Sequence, residues 1–121
     1  MSDDHAIRAL LIEANNQVAA ALVALLRDRD VEADVIADFN RAEAAIERYA
    51  PDVVIFDLPS RDGREVFLAI RRRWRDLPVI LCSAERPDVS DLLKDRRTSF
   101  LPKPFDGDTL METIHRMRGA R

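Results

Sequence analysis

The chain has 121 residues, 47% hydrophobic and 34% charged, with a net charge of −3. That length and apolar content suit a single domain with its own core and argue against disorder. The negative balance gives no general pull toward nucleic acid or an anionic membrane, the single cysteine excludes a disulfide framework within the chain, and no apolar run approaches the ~20 residues of a membrane span. Cys82 lies inside an apolar run and reads as a buried thiol. Met1-Ser2-Asp3-Asp4-His5 is short and acidic, a flexible tail unlike a secretory leader, so a cytoplasmic location is expected.

In chain order, residues 6–12 are an apolar run suited to a buried strand. Residues 15–28 have helical spacing, with Val18, Leu22, Leu25 and Leu26 on one face and Asn15 or Asn16 as the cap. Val31 to Ile36 reads as a weaker strand. Residues 40–49 read as a helix with Ala42, Ala45, Ile46 and Tyr49 on one side, stopped by Pro51. Val53-Val54-Ile55-Phe56 is four β-formers in a row, the pattern of a central strand buried on both faces. Asp62-Gly63 opens a third helix through Val66, Phe67, Ile70 and Trp74, whose Arg71-Arg72-Arg73-Trp74-Arg75 end reads as a solvated face. Pro78 opens a strand over 79–82. Asp88 to Lys94 predicts a short fourth helix, residues 98–101 a last strand, and Asp106 opens a fifth helix with Leu110, Ile114 and Met117 inward.

Five βα alternations without a linker imply an α/β fold: a doubly wound, parallel five-stranded sheet, with helices on both faces in a three-layer sandwich. The flavodoxin-like strand order 2-1-3-4-5 suits it, with residues 1–121 as one domain. In such a sheet the carboxyl ends of the strands converge on the ligand crevice. Here those ends deliver Glu13, Asp57, Ser83 and Lys103. Two carboxylates, a hydroxyl and an amine suit a phosphoryl group and a divalent cation. Neither His5 nor His115 has partners at metal-ligand spacing, and no Ser-His-Asp or Cys-His constellation emerges.

These pieces carry a resemblance. Leu11-Ile12-Glu13, Pro51 to Asp57, Pro59-Ser60-Arg61-Asp62-Gly63, Pro78 to Ala84 and Phe100-Leu101-Pro102-Lys103-Pro104-Phe105 occur in the order and near the spacing of the receiver domain of bacterial two-component response regulators, the CheY-like fold. The chain resembles that family along essentially its whole length. The resemblance implies a signalling domain rather than an enzyme. Asp57 would be the phosphoacceptor, fed by a sensor histidine kinase or phosphotransfer protein. Ser83 would be the switch hydroxyl, Lys103 the lysine that pairs with the phosphoryl group, and Phe100 the switch aromatic. It also implies a cis Lys103-Pro104 bond, and Mg²⁺ held by Glu13, Asp57 and the backbone carbonyl of Pro59. Output would pass to a downstream protein through the face of the fourth helix, fifth strand and fifth helix, with homodimerisation open and neither membrane nor nucleic acid as partner.

The chain departs from the family in its metal-binding half. Ala14 stands where the second acid of the family's acidic pair belongs, and an alanine side chain cannot ligate. The loop from Asp57 through Leu58 to Pro59 is short, so the carbonyl of Pro59 need not aim at a metal. A weak Mg²⁺ site or none is expected. Arg96-Arg97 also replaces the family's Gly-Ala before the last strand. Two readings stay open: a phospho-switch, and a pseudo-receiver that binds proteins or dimerises independently of phosphorylation. A flavodoxin-like enzyme fits poorly, because Glu13-Ala14-Asn15-Asn16 lacks the small residues that cradle a flavin phosphate.

Overall fold

A computed structural model describes residues 6–57, 61–84 and 89–119. Five parallel strands, β1 (Arg8–Ile12), β2 (Glu32–Ile36), β3 (Val53–Asp57), β4 (Val79–Ser83) and β5 (Thr98–Pro102), form one sheet in the order β2-β1-β3-β4-β5. The helices are α1 (Asn16–Arg27), α2 (Ala42–Tyr49), α3 (Arg61–Arg73) and α4 (Gly107–Gly119). The expected doubly wound order is therefore the observed one. No helix among the described residues is long and apolar enough to cross a membrane.

Side-chain alternation along the strands splits the core into two halves. Ala9, Leu11, Val53, Ile55, Ile80, Cys82 and Leu101 pack with α1 and α4, through Leu22, Leu26, Leu110, Ile114 and Met117. Leu10, Ile12, Val54, Phe56, Val79 and Leu81 pack with α2 and α3, through Ala42, Ile46, Phe67 and Ile70. Phe56 is fully buried, with the rings of Phe39 and Phe67 at 5.3 Å and 6.5 Å. Burying a side chain of this kind stabilises by roughly 1.5–3 kcal/mol. Every residue of β3 and β4 is buried, as continuous apolar runs require when helices cover both faces. Cys82 is buried as read, and its thiol is pushed up to about 12 by that burial.

Two expectations are corrected. In place of a fourth helix over Asp88 to Lys94, the described residues form only a 3₁₀ turn, Leu92–Lys94; Asp88 lies outside them. Val89 and Leu92 are buried, but Leu93 points outward at 39% exposure. The amides of Leu92 and Leu93 both donate to the carbonyl of Val89, and Asp95 then turns extended (φ −80, ψ 124), so the coil never exceeds one turn. A segment this short gains little from helix propagation. Arg71, read as part of a solvated face, is instead a hub. Its Nη1 donates to the carbonyls of Trp74 (2.8 Å), Arg75 (3.1 Å) and Leu77 (2.8 Å), and its Nη2 to the carbonyl of Arg97 (3.1 Å) and Thr98 Oγ1 (2.8 Å). Nε lies 2.8 Å from Asp95 Oδ2, an ion pair without the alignment of a good hydrogen bond. This guanidinium ties the end of α3 to the entries of β4 and β5. Arg72 and Arg73 are exposed as expected.

Candidate functional site

The strand registers bring the polar ends together. Ile12 pairs with Phe56, Asp57 with Cys82 and Ser83 with Pro102. Beyond the strands the ladder continues: the amide of Glu13 donates to Ile36 O (3.0 Å) and that of Lys103 to Ser83 O (2.8 Å). Glu13 and Asp57 therefore emerge side by side at the rim, with Lys103 arriving from β5. The Lys103–Pro104 bond is cis, as the resemblance implied. Asn15 fixes the turn out of β1: its Oδ1 accepts from the amides of Gln17 (2.9 Å) and Val18 (3.0 Å) and so caps α1.

Lys103 Nζ donates to Asp57 Oδ1 (3.0 Å) and to Glu13 Oε1 (3.2 Å), bridging the two carboxylates. Glu13 Oε2 accepts from the amide of Asn15 (3.2 Å). All three side chains are largely withdrawn from solvent. Burial raises the Asp57 pKa; Lys103 opposes that and Glu13 adds to it, and the net direction is up. Burial pulls the Lys103 ammonium down, but hydrogen bonds to Asp57 and Glu13 outweigh it and its pKa is raised. A sheltered carboxyl with a raised pKa beside an ammonium whose pKa is also raised is the kind of tuned pair that marks functional clefts.

Alternation sorts the remaining predicted residues. Glu13, Asp57 and Lys103 share the phase of Leu11, Ile55 and Leu101, which faces α1 and α4. Ser83 shares the opposite phase, that of Leu81, and is fully buried. Phe100 is on that side too, half-buried against the α2 and α3 core. The acidic pair and the lysine are thus in direct contact, while Ser83 and Phe100 lie on the opposite phase of the sheet. Pro59 and Leu58 lie outside the described residues. Nothing local in the sequence signals the bond between Glu13 and Lys103, which are 90 positions apart.

Whether these residues fit a divalent cation follows from the donors present. Glu13 and Asp57 are both paired with the same ammonium, and the second oxygen of Glu13 holds a backbone amide. Ala14 is exposed beside them and contributes no donor from its side chain. No group of three His, Cys, Asp or Glu stands together as a metal site among the described residues. Mg²⁺ demands near-octahedral oxygen coordination, and the described donors do not fit such a site as they stand.

The fold and this strand-end cluster define a doubly wound signalling domain of the receiver class. Residues 9–115 match the family model described as the response regulator receiver domain, and the chain belongs to that family. The chain is 34% identical over 109 residues to the transcriptional regulatory protein TctD of Salmonella typhimurium, covering 86% of this chain and 48% of TctD. It thus spans about half the length of that relative. It is 30% identical over 99 residues to the chemotaxis protein CheY of Listeria monocytogenes, covering 76% of this chain and 82% of that protein. The chemotaxis protein CheY4 of Vibrio cholerae superposes with a TM-score of 0.80 over 93% of this chain and 99% of its own; at 24% identity this speaks for the fold. Receiver domains act in two-component signalling, where they interact with histidine kinases and downstream effectors and generally bind Mg²⁺.

Proposed function

We propose that the chain works as one receiver domain in which Asp57 accepts a phosphoryl group from a phosphohistidine partner, with divalent-cation binding weak or lost. The contact that carries the reading is the pair Asp57–Lys103, a buried carboxylate and an ammonium 3.0 Å apart at the end of a central strand. An Asp57 oxygen attacks phosphorus, the new O–P bond forms as the P–N bond to the partner imidazole breaks, and that nitrogen retains the bonding pair and takes a proton. Repulsion between a carboxylate and an incoming phosphoryl anion must be offset by positive charge, and Lys103 supplies it at Asp57. Ser83 is the candidate donor to a phosphoryl oxygen and, with Phe100, the candidate relay. The domain then acts on another protein in the cytoplasm rather than as an enzyme in its own right. Its output face comprises the 3₁₀ turn, β5 and α4, where the family resemblance put the fourth helix, fifth strand and fifth helix.

Incubation with a small phosphodonor, with and without Mg²⁺, tests this reading. A mass gain of about 80 Da, the HPO₃ of phosphorylation, that Asp57→Ala abolishes is the expected result. No adduct under either condition overturns it. A second reading, the phosphorylation-independent binding or dimerisation module, draws on the same triad, because Lys103 already satisfies both carboxylates. Absence of an adduct together with a stable complex formed by Asp57→Ala would favour it.

A further inference from the structure

We propose that Glu13 is a positioning residue that holds the Lys103 ammonium against Asp57, and not a ligand for a divalent cation. The inference concerns the same strand-end site but stands whether or not Asp57 accepts a phosphoryl group. Glu13 is 4% exposed, and both of its oxygens are engaged inside the chain. Oε1 accepts from Lys103 Nζ at 3.2 Å and Oε2 accepts from the Asn15 amide at 3.2 Å. A metal ligand must offer an oxygen to the ion and to the waters around it. Taking Glu13 would require an ion to expel an ammonium from a buried carboxylate and to loosen the turn that Asn15 begins. Mg²⁺ sheds its own waters reluctantly, and Ala14 supplies no further carboxylate to offset that exchange.

The lysine needs the second acceptor. Its four-carbon stem is flexible and its ammonium is a compact point charge with three rotatable donors. One carboxylate, Asp57, would leave the stem free to swing about a single bond. Two carboxylates on neighbouring strands, joined to a backbone amide pinned on Ser83 O at 2.8 Å, restrict it to one place. The trio then carries a single net negative charge, two carboxylates against one ammonium. Glutamate rather than aspartate suits position 13 on the same ground: its extra methylene lets one oxygen reach Nζ while the other turns back to Asn15.

The chain has only one other lysine, Lys94, which is exposed on the 3₁₀ turn and serves as an internal reference. The protein is treated at fixed pH with an amine-acylating anhydride, with and without Mg²⁺, and acylation at Lys103 and Lys94 is quantified by peptide mass spectrometry. In the native chain Lys103 is expected to react far more slowly than Lys94, with a ratio unmoved by Mg²⁺. Glu13→Ala is expected to raise the Lys103-to-Lys94 ratio by about tenfold, the scale of one lost charge-assisted hydrogen bond. The isosteric Glu13→Gln, which keeps the shape where the alanine variant fails to fold, is expected to raise it severalfold. An unchanged ratio in the variant that folds overturns the proposal. So does a rise in native Lys103 labelling on adding Mg²⁺, because the ion would then have taken Glu13. No phosphodonor enters the assay, so its failure and that of the phosphoryl-acceptor reading are separable.

Discussion

At the amino ends of β4 and β5 Arg71 is ringed by four carbonyls, a hydroxyl and Asp95, whereas at the carboxyl ends of β1 and β3 Lys103 lies between two carboxylates. Both are sheltered cations, yet burial lowers the pKa of Arg71 while the pKa of Lys103 is raised. The difference is one of matching. A planar guanidinium with five donors in a fixed fork suits an array of backbone oxygens, and its role is to fasten segments. A single ammonium shared by two acids leaves an excess of negative charge, and the raised pKa of Asp57, set first by burial, is pushed further the same way by Glu13. One end of the sheet is satisfied scaffolding; the other holds a poised imbalance. Sites built for chemistry commonly sacrifice stability in this way.

The largest effect is expected at the satisfied end. Arg71→Ala leaves several carbonyls and Asp95 without their donor and should lower unfolding stability by about 3 kcal/mol in urea melts. Arg71→Lys should recover less than half of that, since an ammonium cannot span the same fork. A loss below about 1 kcal/mol would mean that water replaces the network, and the contrast between the two ends would collapse. At the poised end the sign should reverse. Asp57→Asn removes one of two like charges around a single ammonium and should stabilise by about 1 kcal/mol at neutral pH, a rise of roughly 3–5 °C in melting temperature. A lowered melting temperature would show Asp57 to be an ordinary structural partner. The smallest effect belongs to an exposed carboxylate outside both clusters. Asp106 Oδ1 accepts from the Thr109 amide at 2.7 Å, and this bond lowers its pKa. A lowered carboxylate pKa stabilises the fold above the ordinary carboxylate range, and that contribution is lost as pH falls through the folded value. Asp106→Ala should therefore melt below the native chain at neutral pH and converge with it in acid.

The sheet and the main helices were legible because each rests on a local pattern. The short runs of β-formers at β3 and β4 read as strands, the one at β3 as a central strand covered on both faces, and both are buried throughout. Asn15 and Asp106 announced the starts of α1 and α4 through cap chemistry. Strand ends then placed Glu13, Asp57, Ser83 and Lys103 at one rim by topology alone. What escaped was tertiary. Arg71 sits in a run of arginines that any periodicity argument sends to solvent, and its partners at Arg97 and Thr98 are 26 and 27 residues away. The fourth helix failed because Val89, Leu92 and Leu93 supply apolar spacing without the length that propagation needs. Strand order put Glu13 at the rim, but its bond to Lys103 depends on where β5 ends, 90 positions away.

The buried thiol has a practical consequence. Cys82 is the only cysteine, it is enclosed within β4, and its pKa of about 12 keeps it almost wholly un-ionised at neutral pH. Thiolate is the reactive form, so the native chain is effectively silent toward thiol reagents. A cysteine introduced on an exposed position would then be labelled alone without first removing Cys82. Probes on the 3₁₀ turn and on α3 could report movement of the β4–β5 crossover in the otherwise unaltered chain.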